Sequence, residues 1–309
     1  MIDSTLFLAE LNVVFGDRVS LNEPLARHTT ARLGGPADVW LPVNSVNELV
    51  QAVTIARRFE IPVFMLGSGA NLLIGDGGIR GMVIANRAMH ITFPGTDAEA
   101  PVVRVESGVI LPSLARRCAQ RGLSGLEWAV GVPGTIGGAV TNNAGAYGSD
   151  MAANLVRAEL LSPEGRRVWQ PVGWFEYGYR SSRLKRESRT WIVLQAELLL
   201  AWEPVTRIVA QLNAFNERRK STQPPGATMG SMFKNPPDDF AGRLIDAAGL
   251  KGTQVGQAQV SPLHANFFQN LGDATAADML ALIRLVQAEV QKKFEVTLEL
   301  EIEVVGEFN

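Results

Sequence analysis

With 309 residues, 46% of them hydrophobic and 19% charged, the chain has apolar mass for two compact domains or one large one, which excludes disorder as its main state. Its 29 Lys and Arg stand against 31 Asp and Glu, a formal charge of -2 that lacks the overall basic footprint of a nucleic-acid binder. A lone cysteine, Cys118, excludes an internal disulfide and fits a reducing compartment, and three scattered histidines without HExxH or CxxC argue against a metal site.

Alternating strand and helix signals open the chain. Ser45-Val46-Asn47-Glu48 has the form of a capping box, and Val46, Leu49, Val50 and Val53 then share one helical face. Residues 61–66 read as a buried strand ending at Gly67, with further strands over 82–85 and 102–106. A helix is expected from about Pro112 to Arg121, then longer strands over 155–161 and 191–200. Beyond Trp202 the pattern predicts helices over 205–220, 239–248 (stopped by Gly249) and 275–293. The chain closes on 297–305, where Leu298, Leu300, Ile302 and Val304 alternate with Glu299, Glu301 and Glu303 as in a strand with one acidic face. The N-terminus, Met1-Ile2-Asp3-Ser4-Thr5, does not read as a signal peptide. The uncharged stretch 128–149 holds six glycines, Pro133, Asn142 and Asn143, so no membrane insertion and a cytoplasmic location are expected.

Two glycine-rich segments carry the binding signal. Gly67, Ser68, Gly69, Ala70, Asn71 and Leu72 follow an apolar strand, where glycines let backbone N–H groups approach a phosphate and Ser68 and Asn71 add side-chain donors. As a Rossmann fingerprint the segment fails, because Leu72 stands where the third glycine belongs, and no Walker loop occurs. A tight structural turn explains this stretch equally well. The second segment spans 131–148, with Gly131, Gly134, Thr135, Gly138, Ala139, Ala144 and Gly145 presenting small side chains and many backbone amides. That composition suits a flat ring system and a pyrophosphate, although residue types alone leave the ligand open.

Taken in order, Thr29-Thr30-Ala31-Arg32-Leu33-Gly34-Gly35-Pro36-Ala37, residues 66–73, Gly122-Leu123-Ser124-Gly125-Leu126-Glu127 and residues 131–148 resemble the UDP-N-acetylenolpyruvoylglucosamine reductase (MurB) family. The resemblance runs from about Thr29 to Val305. It implies an α+β fold: a PCMH-type (vanillyl-alcohol oxidase-like) FAD-binding region of two α/β subdomains, 1–86 and 87–202, then a substrate-binding domain, 203–309. It implies non-covalent FAD, NADPH as hydride donor, UDP-N-acetylglucosamine enolpyruvate as substrate, and a monomer. Only 50 residues separate Arg180 from Ser231, so the chain is similar to the family's shorter type, without an inserted substrate loop. Departures stand at Ala70, where Ser is frequent, at Val109, and at Thr141, where Met is common. Two other readings remain open: another PCMH-type flavin oxidase or dehydrogenase acting on a sugar or alcohol, and a catalytically idle flavin- or nucleotide-sugar-binding protein.

The resemblance selects Arg180, Ser231 and Glu301 as catalytic. Arginine suits a bidentate clamp on a carboxylate, yet Arg183, Lys185 and Arg186 make a surface charged loop the plainer reading of Arg180. Ser231, in Met229-Gly230-Ser231-Met232-Phe233-Lys234-Asn235-Pro236, reads on its own as a turn serine; as the proton donor it needs nearby charge to stabilise its alkoxide. Glu301, within the Leu-Glu-x-Glu pattern of 298–301, reads on its own as part of a solvated strand face, where clustered acids raise carboxyl pKa values. Tyr179, Lys234, Asn235 and His264 match substrate-binding positions, with Asn235 standing where some relatives carry Arg. Arg219, Gln223, Lys234 and Arg243 are candidates for the UDP pyrophosphate.

Overall fold

The computed structural model describes residues 4–187 and 190–308. In chain order the main elements begin with α1 (Ser4–Phe15), β1 (Ser20–Pro24), β2 (Pro36–Val43), α2 (Val46–Arg58) and β3 (Val63–Leu66). Next come β4 (Leu72–Ile74), β5 (Ile79–Asn86), β6 (Val102–Glu106), α3 (Leu111–Ala119) and α4 (Ile136–Asn142). β7 (Leu155–Leu161), β8 (Arg167–Pro171), β9 (Ile192–Leu199), α5 (Val205–Thr222) and β10 (Ala227–Ser231) follow. The chain ends through α6 (Ala241–Ala247), β11 (Ala258–Val260), β12 (Phe267–Asn270), α7 (Ala276–Phe294) and β13 (Glu303–Val305). No helix among the described residues is long and apolar enough to cross a membrane.

Local chemistry sets most of these boundaries. The Ser45 side chain accepts from Glu48 N, so α2 begins where the capping pattern places it, and it buries Val46, Leu49 and Val53. At α7, Thr275 and Asp278 form a complete capping box, and Ala276, Met279, Leu282, Ile283, Val286 and Val290 make the buried stripe. α6 ends just ahead of Gly249, whose φ of +79° is open to glycine at little cost.

The terminal segment departs from expectation. Residues 297–305 are not one strand: Leu300 makes an isolated antiparallel bridge to Phe233, the chain bends at 301–302, and only Glu303–Val305 is strand, parallel to β4. The chain changes pairing partner at the bend, which breaks the period of two. Glu299, Glu301 and Glu303 therefore do not line one regular acidic face. Glu299 is 73% exposed and ion-paired with Lys234 Nζ at 3.1 Å.

The chain divides into two compact units that are discontinuous in sequence. One comprises the chain up to Val19, Leu41–Gly67 and Val83–Arg219; the other comprises Ser20–Trp40, Ser68–Met82 and the chain from Lys220 onward. In the first, an antiparallel sheet runs β8-β7-β9-β6, with Ile91–Thr92 at its edge. Its core joins Val103 and Val105 of β6, Leu114 of α3, Val140 of α4, Leu160 of β7 and Leu198 of β9. In the second, the sheet β10-β12-β11, edged by Gln254–Val255, shares a core with Leu244 and Ile245 of α6 and Leu282 and Val286 of α7. Two N-terminal excursions fold with the C-terminal third, so no single cut in the sequence separates these units.

One such excursion caps a helix. Asp76 accepts from Ala276 N (2.8 Å) on Oδ1 and from Ala277 N (3.0 Å) on Oδ2, so the β4–β5 loop satisfies two amides of the first turn of α7. Asp76→Ala is expected to cost about 1–2 kcal/mol of unfolding free energy, the upper range for lost caps. Denaturant melts read this directly, and an unchanged midpoint at unchanged slope would show that the contact adds nothing.

Candidate active site

The first unit builds its site on the second glycine-rich segment. Thr135 N-caps α4, and Asn143 closes it in the left-handed region at φ +47°. The Asn143 amide then ties three pieces together: Nδ2 donates to Asp150 Oδ2 (3.0 Å) and to Gly178 O (3.1 Å), while Oδ1 accepts from Ala152 N (3.0 Å). Tyr177 OH donates to Val140 O (2.7 Å) and Ser182 Oγ to Thr141 O (2.5 Å). Burial pushes the Tyr177 hydroxyl well above its ordinary pKa, so it remains a neutral donor.

These bonds fix the tight turn 178–181 onto the end of α4. Arg180 sits in that turn at φ +52°, with Nη2 donating to Gly145 O at 2.7 Å and the guanidinium carbon 5.1 Å from the Tyr179 ring centre. Arg183 and Arg186 instead pair with Glu187 (2.6 Å) and Glu176 (2.8 Å). Arg183 and Arg186 thus engage acids of their own loop, while the half-buried Arg180 bonds to the glycine-rich segment. No local pattern marks Asn143, Tyr177 or Ser182 for this role; the Asn142-Asn143 pair inside a run of small residues is the available signal.

Within the first unit, Gly67 meets the second glycine-rich segment. A Cβ on Gly67 would lie 2.6 Å from Thr135 Oγ1, so the approach requires glycine at 67. At Gly134 a Cβ would meet nothing within 4 Å, and at Gly138 only Thr135 Oγ1 at 3.8 Å, so here the segment presents bare backbone to open space. The Asn142 Oδ1 is buried without a hydrogen-bond partner among the described residues. Val109 is buried, and the half-buried Thr141 donates its Oγ1 hydrogen to Gly137 O (2.8 Å), one turn back in α4.

In the second unit, Gly69 sits at φ +62° with its backbone against His28 and Thr29. Ser68 Oγ, beside it, is buried and also lacks a partner among the described residues. Asn71 is engaged internally: its Nδ2 donates to Glu301 O (3.2 Å) and its carbonyl accepts from Glu303 N (3.0 Å). Ser231 ends β10 after a register shift, opposite Phe267. The next residues pair with the terminal segment, Glu301 N donating to Met232 O (2.9 Å) and Lys234 N to Glu299 O (2.9 Å). The fold therefore brings Ser231 and Glu301 onto adjoining backbone segments although 70 positions separate them.

Asn235 and His264 meet the first turn of α6. Asn235 Oδ1 accepts from Ala241 N (3.2 Å), and a Cβ on Gly242 would lie 3.3 Å from His264 Cε1. Burial pushes His264 below the ordinary histidine value; its Nδ1 accepts from Asn266 N (3.2 Å), which leaves Nε2–H as the donor of a neutral ring. Arg243 is spent on Asp239, whose carboxyl it holds down at about 2.

Comparison with known proteins decides the family. Residues 222–305 match the model of the UDP-N-acetylenolpyruvoylglucosamine reductase C-terminal domain, and residues 37–170 match an FAD binding domain. The chain is 42% identical to UDP-N-acetylenolpyruvoylglucosamine reductase 2 of Symbiobacterium thermophilum, over 94% of this chain and 92% of that one. It belongs to the UDP-N-acetylenolpyruvoylglucosamine reductase family. A Bacillus subtilis reductase is 40% identical over 94% of both chains. The crystal structure of MurB from Thermus caldophilus superposes with a TM-score of 0.77 at 37% identity, covering 93% of this chain and 97% of that one. These matches bear out the α+β fold with a PCMH-type FAD-binding domain. The oxidase and idle-binder readings gain no support from relatives matched over nearly the whole chain.

The residues present fit FAD. In the first unit, bare backbone at Gly134 and Gly138 and the buried Asn142 Oδ1 are polar capacity that the described residues do not use, and in the second unit the buried Ser68 Oγ is another such group.

Proposed function

We propose that this reductase converts UDP-N-acetylglucosamine enolpyruvate to UDP-N-acetylmuramate with NADPH, a step in peptidoglycan precursor synthesis. The observation that carries the reading is Arg180 held on the glycine-rich segment by the Asn143, Tyr177 and Ser182 bonds. FAD, when bound, supplies the hydride relay between NADPH and the vinyl group. Residues 1–86 and 87–202 would hold it through Gly67, Ser68, Gly69, Ala70, Asn71 and Leu72 and through Gly131, Gly134, Thr135, Gly138, Ala139, Ala144 and Gly145; residues 203–309 would hold the nucleotide sugar.

Arg180 clamps the enolpyruvyl carboxylate, and its fixed charge stabilises the enolate-like carbanion that forms as the terminal carbon gains hydride. Glu301, when protonated, donates a further hydrogen bond to that developing charge. Ser231 delivers the proton to the carbon bearing the carboxylate. Tyr179, Lys234, Asn235 and the Nε2–H of His264 orient the substrate. A nucleotide-sugar substrate and a nicotinamide donor fit a cytoplasmic enzyme, and sizing of the native protein is expected to show a monomer.

Purified protein is expected to be yellow and to release FAD into the supernatant on acid precipitation. NADPH should bleach the flavin absorbance and the enolpyruvyl sugar should restore it. A colourless protein that cannot be reconstituted with FAD would overturn the proposal.

A further inference from the structure

Asp150 stands behind Arg180 by two routes. The first runs through its backbone. A short hairpin over 145–150 turns at Tyr147 (φ +54°) and Gly148 (φ +84°), the two positive-φ positions that a two-residue turn needs. It pairs Gly145 with Asp150 so closely that a Cβ on Gly145 would lie 2.6 Å from Asp150 Cβ. Gly145 O is the acceptor of Arg180 Nη2 at 2.7 Å, so the seat of that guanidinium is fixed by the strand that Asp150 ends.

The second route runs through the carboxylate. Oδ1 accepts from Ala153 N (3.2 Å) and Oδ2 from Asn143 Nδ2 (3.0 Å). The same Asn143 Nδ2 donates its other hydrogen to Gly178 O (3.1 Å), where the turn that carries Arg180 begins. Asn143 Oδ1 is committed to Ala152 N (3.0 Å), so a pure acceptor at 150 is what keeps the amide facing this way. The turn closes on itself through Gly178 N to Ser181 O (3.0 Å) and Ser181 N to Gly178 O (3.2 Å). Arg180 inside it takes φ +52°, a conformation that an arginine keeps only where its surroundings over-determine it.

We propose that Asp150 is the positioning residue of the carboxylate clamp: its backbone sets the seat of the Arg180 guanidinium, and its carboxylate, acting through Asn143, holds the turn that aims it. The inference rests on the clamp role proposed above for Arg180.

Asp150→Ala removes both acceptor oxygens, and the isosteric Asp150→Asn keeps one of them and the fold of the hairpin. Asp150→Ala is expected to slow sugar-dependent recovery of flavin absorbance by about 10- to 100-fold and to raise KM for the enolpyruvyl sugar, with Asp150→Asn in between. Bleaching by NADPH should stay within about twofold in both, because Arg180 acts on the sugar's carboxylate alone. Adding Asp150→Ala to Arg180→Met should cost less than about twofold more, since the group it positions is gone; a purely structural role would multiply the two losses and slow both half-reactions alike. Amide hydrogen exchange at Gly178 and Ser181 in flavin-free protein reads the same tie without any ligand, and should quicken by about tenfold or more in Asp150→Ala. Recovery within about twofold of the unmodified protein, or multiplied losses in the double variant, would overturn the inference and leave the proposed reaction standing. If the unmodified protein itself fails to reduce the sugar, the proposed function falls and exchange alone decides: quickened exchange upholds the hold of Asp150 on the turn, and unchanged exchange overturns it.

Discussion

Ser231→Ala is expected to leave bleaching of the flavin absorbance by NADPH nearly unchanged, and to slow its recovery on mixing with the enolpyruvyl sugar by roughly 10²–10⁴-fold, the usual contribution of a general acid. The structure makes this a clean experiment. Ser231 follows Gly230, at φ +81°, and the backbone beyond it is held by bonds that a truncated side chain does not touch: Met232 N to Asn266 O (2.8 Å), Phe233 N to Asn266 Oδ1 (2.9 Å) and Asn266 Nδ2 to Phe233 O (2.8 Å). Loss of one partly buried hydroxyl at the end of β10 should therefore leave the melting temperature within a degree or two. Stopped-flow absorbance resolves the two half-reactions in one instrument. Equal slowing of both would mean that Ser231 positions something common to NADPH and substrate, and its role as proton donor would be lost.

The second large effect is expected at Glu301. Glu301→Gln should slow the sugar-dependent recovery of flavin absorbance by at least about 100-fold, as for other groups acting on transition-state charge. Glu299→Gln is the matched control. Its carboxylate is mostly exposed and, among the described residues, holds only the pair with Lys234, an interaction of a class worth about 0–1 kcal/mol, so turnover should stay close to that of the unmodified enzyme. Glu303→Gln tests the register from the other side of the bend, because Glu303 begins β13. Should Glu303→Gln or Glu299→Gln abolish turnover while Glu301→Gln does not, the Leu-Glu-x-Glu pattern has been assigned one repeat out. Normal turnover in all three would show that the terminal segment carries no chemistry and that its acids serve solvation.

The sequence by itself determined what depends on short-range chemistry. A capping pattern and an apolar stripe mark α2, and an amphipathic period marks α7, because a helix closes its own hydrogen bonds within four residues. Long apolar runs placed β7 and β9, which are central to their sheet. The ordered glycine-rich motifs identified the family. Strands β10, β11 and β12 leave no period to read, since they are only three to five residues long and exist through pairing with partners distant in sequence. The acidic alternation at the C-terminus mimics one continuous strand for the same reason. Only the tertiary structure shows that its pairing passes from Phe233 to β4 at a bend, which sets Glu301 apart from Glu299. Arg180 makes the point most sharply. Its sequence neighbours are charged and solvated, and no local pattern distinguishes it from them. What distinguishes it is a set of bonds from Asn143, Tyr177 and Ser182 that fasten its turn to α4, and hydrogen bonds across 35 to 41 positions leave no period in a sequence to read.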